Sequence, residues 1–109
     1  MRVWDLPPRL LCRQHLLGEH RELHGLWNIL VKGHKGYSRH PETLRWVGKQ
    51  AALFARHNKL AVEMVRRGYK HRTPLPARLA TGARAQRSFV DRPSRQRELL
   101  KRKGCECRV

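Results

Sequence analysis

The densest group of reactive side chains lies in the segment 14–24, which reads QHLLGEHRELH. On a helix, His15, Glu19 and Glu22 lie at positions i, i+4 and i+7 and therefore share one face. A carboxylate among cations repels phosphate, yet an enzyme that acts at a sugar carbon needs one to stabilise positive charge or to move protons. The alternative is that both glutamates only neutralise a basic helix, in exposed ion pairs worth at most about 0.5 kcal/mol each.

Gly18 and Gly25 lie in the same helix, seven residues apart. A glycine inside a helix costs about 1 kcal/mol relative to alanine. We therefore expect another backbone or a ligand to approach this helix closely.

His20 and His24, one helical turn apart, are the candidate metal ligands of the segment. The zinc-protease pattern requires glutamate directly after the first histidine, but Arg21 stands there. The surrounding cations would also repel a divalent cation. We therefore expect no metal and no cofactor, and interpret both histidines as surface or phosphate-contacting residues.

The chain has three cysteines, Cys12, Cys105 and Cys107. An odd number argues against a disulfide framework. The C-x-C pair near the carboxyl terminus has no second pair in the sequence to complete a zinc site. We interpret all three as free thiols.

The charge of the chain points to a polyanionic partner. Among 109 residues, 25 Lys and Arg against 8 Asp and Glu give a net charge of +17. Residues 1–76 carry 15 basic and 5 acidic side chains, so net +10 belongs to the region with the periodic apolar patterns. Nucleic acid is the leading partner, and an anionic membrane surface is the lesser one. No apolar run has the length of a membrane span, and residues 1–5 lack a signal-peptide core, which predicts a cytoplasmic, nucleoid-associated protein.

The apolar spacing predicts a single compact all-α domain on two long antiparallel helices. A core of residues 1–76 is followed by a basic segment, 77–109. Pro7 and Pro8 favour a first helix over 7–31, with Asp5 as its cap or dipole partner. Its predicted core stripe is Leu16, Leu23, Trp27 and Leu30.

The second helix is predicted over 41–67, and it ends before Gly68. Its predicted packing stripe is Leu44, Val47, Ala51, Phe54, Asn58, Ala61 and Val65. A shorter helix over 95–103 is expected after a Ser94 cap, with the last six residues frayed. We place Trp27 and Trp46 in the core, while Trp4 suits a core position or the wall of a pocket equally well.

Three features together resemble the pyrimidine-dimer DNA glycosylases of the phage endonuclease V type. They are Arg2 behind the amino terminus, the Q-H-L-x-x-E-x-R-E-L stretch over 14–23, and a helix stop of Arg-Arg-Gly-Tyr over 66–69. The resemblance covers about residues 1–72. It implies a bifunctional glycosylase and abasic-site lyase that acts as a monomer on damaged double-stranded DNA.

The resemblance also implies roles for individual residues. The α-amine of the amino-terminal residue, Met1, forms a Schiff base with the sugar C1′, and Glu22 assists. The implied DNA contacts are Arg2, Gln14, His15 and Arg21. An α-amine has a pKa of about 7.7–8.0 against about 10.4 for lysine, and a basic surround lowers it further, which frees the amine as a nucleophile.

The sequence departs from the family in three places. Met1 stands where phage members expose threonine, and the bulky Arg2 leads us to expect that Met1 is retained. Gly25 replaces a second arginine that follows the motif glutamate by three residues. The carboxyl-terminal third does not match, so we expect either a different lesion preference or an activity narrowed to abasic sites.

Basic side chains also surround the glycine-rich loop after the first helix. Lys32, Lys35 and Arg39 have no acidic residue between them, which favours phosphate contacts over a merely solvated loop. Two other functions stay open. One is a non-catalytic basic helical nucleic-acid-binding protein, and the other is a metal-dependent nuclease that uses His20 and His24.

Overall fold

The first of the described residues form an irregular arm and not a helix. A computed structural model describes residues 2–109. Pro8–Leu10 form a single 3-10 turn, and Leu11 then has extended backbone. The helix predicted from residue 7 therefore starts only at residue 13, and Asp5 does not cap it. The prolines are compatible with the turn, since their fixed φ suits it.

The first long helix, α1, spans Arg13–Lys32 and ends at Gly33, whose φ of 68° is left-handed. Its predicted stripe is confirmed: Leu16, Leu23 and Trp27 are buried and Leu30 packs against them.

The predicted second helix is broken in two, with α2 at Pro41–Leu44 and α3 at Gln50–Arg66. The break contains Gly48, which has a φ of 75°. Segment 81–83 crosses here, and its carbonyls accept hydrogen bonds from the first N–H groups of α3, Ala51 to Thr81 at 2.8 Å and Ala52 to Ala83 at 3.0 Å. The first N–H groups of a helix have no carbonyl partner within that helix. The carbonyls of segment 81–83 therefore replace those that a preceding helical turn would supply.

The packing stripe predicted for the second helix is wrong. Leu44, Val47 and Val65 are more than half exposed. The face of α3 that is buried contains Ala52, Leu53, His57, Leu60, Glu63 and Met64. Because this face contains polar residues, the apolar pattern of the sequence did not identify it as buried. The break at Gly48 also changes which residues share one face of the helix.

Helices α1 and α3 pack together antiparallel, as predicted. The ring of Trp27, late in α1, lies 6.4 Å from that of Phe54, early in α3. Glu19, nearer the start of α1, pairs with Arg56, and the end of α3 reaches Leu11 through Arg67. Trp27 and Trp46 are both 2% exposed, which confirms their core positions.

The carboxyl-terminal segment packs on this pair. Helix α4 spans Pro93–Arg102, with Arg92 and not Ser94 at its N-cap position. Leu100 is fully buried. We expected the last six residues to fray, but Cys107 and Val109 pack against the core and the Arg108 N–H donates to the Leu10 carbonyl at 2.7 Å.

All regular structure in residues 2–109 is helical, which confirms the all-α prediction. Within the same residues, no helix combines the length and the apolar character needed to cross a membrane.

Candidate active site

A cavity of about 170 Å³ opens beside the first turns of α1. Its walls include four of the predicted site residues, and the full lining is Arg2, Trp4, Gln14, His15, Gly18, Glu19 and Glu22. Gln14 also lines a neighbouring cleft of about 540 Å³ that contains Arg21. The structure thus brings together the described residues that the resemblance singled out. Met1, the predicted nucleophile, lies outside the described residues.

Buried hydrogen bonds hold the amino-terminal arm against this cavity. The Val3 N–H donates to Oε2 of Glu42 at 3.2 Å, and the Val3 carbonyl accepts from Nη2 of Arg45 at 3.0 Å. Two residues later, the Asp5 N–H donates to Oε1 of Gln96 at 2.7 Å. The backbone that follows residue 2 is therefore fixed from both sides.

Arg45 is the centre of this anchor. It is buried and pairs with Glu42 and with Asp5, the latter at 2.9 Å. Sequence reasoning missed it, because Glu42 three residues earlier looks like an ordinary helical ion-pair partner, and the other partners, Val3 and Asp5, lie on a distant segment. Asp5, which was expected to cap the first helix or to interact with its dipole, instead forms an ion pair with Arg45.

Arg2 lies at the edge of the cavity. Its Nη2 pairs with Oδ2 of Asp91 at 2.9 Å, and its guanidinium lies 5.1 Å from the centre of the Trp4 ring. Trp4 itself is buried and meets His15 edge to face at 6.0 Å. Trp4 was expected either in the core or in the wall of a pocket. The structure shows both, because the buried Trp4 side chain also lines the cavity.

The two glutamates of the motif have different environments. Glu19 is buried, and both of its oxygens accept hydrogen bonds from Arg56, at 2.7 and 2.9 Å. Burial raises the pKa of Glu19, and the Arg56 guanidinium opposes that shift. Glu22 is exposed at the cavity rim, and within residues 2–109 no cation lies within salt-bridge distance of it. The ion-pair interpretation thus describes Glu19, although in a buried pair, and does not describe Glu22.

Within residues 2–109, no backbone outside the helix packs against the glycines of α1. A Cβ added at Gly18 or at Gly25 would meet none of the described atoms within 4 Å. Of the two expected partners, another backbone is absent among residues 2–109, and a ligand stays a prediction. Gly18 lines the cavity, so its missing side chain leaves space for a ligand, whereas Gly25 is exposed elsewhere.

The predicted phosphate-contacting loop lies at the far end of α1. Lys32, Lys35 and Arg39 are exposed, and none of them forms a salt bridge within residues 2–109. Lys32 follows Glu22 by ten residues, or about 15 Å along the helix axis. These cations are free to contact DNA that flanks the cavity, but they do not line it.

Comparison with protein families agrees with this arrangement. The model of the pyrimidine dimer DNA glycosylase family matches residues 1–77 of the 109-residue chain. The chain therefore belongs to the pyrimidine dimer DNA glycosylase family. Comparisons with curated proteins and with solved structures found no match.

Proposed function

We propose that the protein is a DNA repair enzyme that removes a base from pyrimidine dimers and then cuts the abasic strand. In this proposal the α-amine of Met1 is the nucleophile, and Glu22 assists the reaction. The enzyme acts as a monomer on double-stranded DNA in the cytoplasm. The observation that carries the proposal is Glu22, an exposed carboxylate without an ionic partner in residues 2–109, at the rim of a cavity lined by Arg2 and His15.

The unpaired carboxylate is unexpected in a simple DNA clamp. With 25 basic side chains in the chain, an ion pair for Glu22 is readily available, as Glu19 and Arg56 show. An unpaired negative charge beside a DNA surface weakens binding to phosphate. It becomes useful when positive charge develops at a sugar carbon or a proton must be moved.

The proposed reaction has two parts. The neutral amine attacks C1′, and the bond from C1′ to the base breaks, so the base departs with the electron pair. A proton then passes from the nitrogen to O4′ as the sugar ring opens, which gives an iminium between the amine nitrogen and C1′. Loss of a C2′ proton allows β-elimination, in which the 3′ phosphate departs and the strand is cut. Water finally hydrolyses the imine and restores the amine.

The described residues of the cavity suit this sequence of steps. Arg2 lines the cavity and one peptide bond joins it to Met1, which keeps the amine close to this wall. In this proposal Glu22, which lines the cavity, stabilises the developing positive charge or accepts a proton. The cavity of about 170 Å³ is smaller than the roughly 300–1,000 Å³ of common ligand sites, so we propose that it receives the sugar while the flipped base lies outside it.

Borohydride trapping tests the proposal directly. The protein is incubated with a duplex that contains an abasic site and with one that contains a pyrimidine dimer, and reduction should give a covalent adduct. Absence of an adduct with both duplexes would leave the non-catalytic binding protein as the better interpretation. Selective chemical blocking of the α-amine should abolish the adduct, and an adduct that survives blocking would rule out Met1 as the nucleophile.

Glu22→Gln tests the second residue. Acid–base assistance is worth about 10²–10⁴-fold in rate, so the variant should bind DNA and lose strand cleavage by a factor in that range. Glu98→Gln is the matched control, since Glu98 is an exposed carboxylate on α4 that pairs with Arg95. Equal cleavage by the two variants would show that Glu22 has no part in the chemistry.

Phosphate contacts are tested separately from chemistry. Replacing Lys32, Lys35 or Arg39 by glutamine should weaken binding of damaged and undamaged DNA alike. Each lost contact should lower the slope of log affinity against log salt by about 0.9. A variant with unchanged salt dependence would show that the loop does not contact the backbone.

A further inference from the structure

Four side chains with metal-binding atoms meet where the carboxyl-terminal end of the chain reaches the start of α1. Cys12 is the N-cap residue of α1 and His15 lies in its first turn, while Cys105 and Cys107 come from the segment after α4. Their sulfur and nitrogen atoms all lie within 4.8 Å of one another, and all four residues are half-buried. We propose that these residues bind Zn²⁺ in a tetrahedral Cys3His site.

The distances are close to those of such a site. Zinc lies about 2.3 Å from sulfur and about 2.0–2.1 Å from nitrogen, which puts tetrahedral ligands about 3.6–3.8 Å apart. Nδ1 of His15 lies 3.1 Å from Sγ of Cys12 and 3.4 Å from Sγ of Cys107. The four ligand atoms lie within 4.8 Å of one another, so shifts of up to about 1 Å would admit the ion. The spacings, C-x-x-H in one segment and C-x-C in the other, leave each pair in reach of one ion.

Outer contacts also favour metal binding. The Cys12 N–H donates to Sγ of Cys107 at 3.1 Å, a bond that favours the thiolate and opposes the burial that raises the pKa of this thiol. Burial and nearby Lys103 lower the pKa of His15, which keeps its imidazole neutral and able to coordinate. The Arg108 N–H bond to the Leu10 carbonyl holds the two segments together on the other side.

A zinc site with three thiolate ligands carries a net negative charge and is therefore compatible with a strongly basic protein. On binding, the three S–H bonds break, three protons pass to solvent and three Zn–S bonds form. Three thiolates and Zn²⁺ then give the site a net charge of −1. In a chain of net charge +17, with Arg13 next to Cys12 and Lys103 close to His15, that charge is favourable.

Four protein ligands leave no open position, so the metal would be structural and not catalytic. It would join the carboxyl-terminal end to the helix that carries the glycosylase motif. His15 also lines the cavity. With Nδ1 on the metal, its other ring nitrogen keeps the hydrogen and can donate to an oxygen of DNA.

A second cluster involves four histidines between α1, α3 and the segment after α3. His20 and His24 are half-buried, and not the surface residues expected from the sequence; they face His57 of α3 and His71. Nε2 of His24 lies 3.2 Å from Nε2 of His57, and the same distance joins His71 and His20. Tetrahedral nitrogens on zinc lie about 3.3 Å apart. We propose that these four imidazoles bind a second zinc ion.

Side-chain contacts around this cluster orient the rings. Nδ1 of His57 lies 3.2 Å from Oδ1 of Asn58, which fixes that nitrogen as the donor and leaves Nε2 for a metal. Burial and the neighbouring imidazoles lower the pKa of His20 to about 4, so its ring is neutral near pH 7. Without anionic ligands this site should hold zinc more weakly than the Cys3His site, and a chelator should empty it first.

Metal content of the full chain tests both sites. The protein is purified without chelator and without an affinity tag, and its zinc content is measured by elemental mass spectrometry. We expect two zinc ions per chain, one in Cys105→Ser and one in His71→Asn. His34→Asn is the control, because His34 is exposed in the loop after α1 and should leave both ions in place. A Cys105→Ser variant with as much zinc as the control would overturn the Cys3His site, and an unchanged His71→Asn would overturn the four-histidine site.

Spectroscopy of folded protein separates the sites without relying on loss of metal. X-ray absorption at the zinc edge of His71→Asn should show three sulfur ligands and one nitrogen. Peptide mapping without reductant should show three free thiols after the metal is removed. A Cys12–Cys107 disulfide in protein from cells, or wild-type protein that neither contains nor takes up zinc, would overturn the proposal. These measurements do not depend on DNA cleavage, so their failure is distinct from failure of the proposed enzyme activity.

Discussion

The buried ion pair between Glu19 and Arg56 makes a strong prediction about stability. The two side chains are 0% and 12% exposed, and the guanidinium donates to both carboxylate oxygens and, at 2.7 Å, to the Leu6 carbonyl. Arg56→Met keeps the length of the apolar stem and removes all three hydrogen bonds. It leaves a buried carboxylate without a counter-charge, which costs about 3–5 kcal/mol in comparable cases. The variant should therefore lose a large part of the 5–15 kcal/mol typical of a domain.

The measurement is urea unfolding followed by tryptophan fluorescence, since Trp27 lies in the same helix pair. At about 4 °C per kcal/mol for a chain of this size, the thermal midpoint should fall by roughly 12–20 °C. Arg95→Met is the control, because Arg95 pairs with Glu98 on the surface and should cost less than about 1 kcal/mol. A loss below about 1 kcal/mol for Arg56→Met would refute the reasoning.

The double variant and the pH dependence test the cause of the loss. Glu19→Gln combined with Arg56→Met removes the uncompensated charge, so it should be more stable than Arg56→Met alone. Burial raises the folded-state pKa of Glu19, and loss of the guanidinium raises it further. A raised folded-state pKa gives stability that is present below the unfolded value and lost as pH rises through the folded value. Arg56→Met should therefore be less stable at pH 8 than at pH 5.

Three further predictions concern the core, the cavity and the acid limit of the fold. Leu60→Ala should cost about 2–5 kcal/mol in chemical unfolding, while Val65→Ala, on the exposed face of the same helix, should cost less than about 0.5 kcal/mol. Gly18→Ala and Gly25→Ala should each raise stability by up to about 1 kcal/mol, because neither added methyl meets an atom within 4 Å, but only the first should slow cleavage. The two arginine partners of Glu63, together with burial that opposes them, set its pKa at about 2, so its contribution to stability is present above the unfolded value and lost as pH falls toward 2. In Glu63→Gln, the free energy of unfolding should fall less steeply between about pH 4 and 2. An unchanged dependence of stability on pH would count against the pairing of Glu63 with its two arginines.

The parts of the fold that could be predicted are those set by local pattern. The stripe on α1 follows from apolar residues at regular spacing, and the helix ends follow from Gly33 and Gly68, both with left-handed backbone. The cavity residues on α1 could be placed together because helix geometry alone puts His15 and Glu22 on one face.

The parts that could not be predicted depend on contacts between distant segments. On α3, His57 and Glu63 lie on the buried face, and polar residues there made a neighbouring apolar row look like the core. The break at Gly48 depends on segment 81–83, which no local pattern connects to it. Likewise, the C-x-C pair lacked a partner in the sequence because Cys12 lies more than 90 residues earlier and meets it only in the folded chain.

The carboxyl-terminal segment lies beyond the family match, yet it holds the arm that leads to the cavity. Asp91 pairs with Arg2, and Gln96 bonds to both the N–H and the carboxylate of Asp5. Cys107 and Arg108 bond to the backbone of residues 12 and 10. A chain that ended at residue 77 would keep the glycosylase motif and lose each of these contacts. In the proposed reaction the α-amine of Met1 must meet one carbon of the sugar, and a misplacement of about 1 Å can cost about 100-fold in rate. We therefore expect loss of these contacts with the segment beyond residue 77 to slow the proposed cleavage.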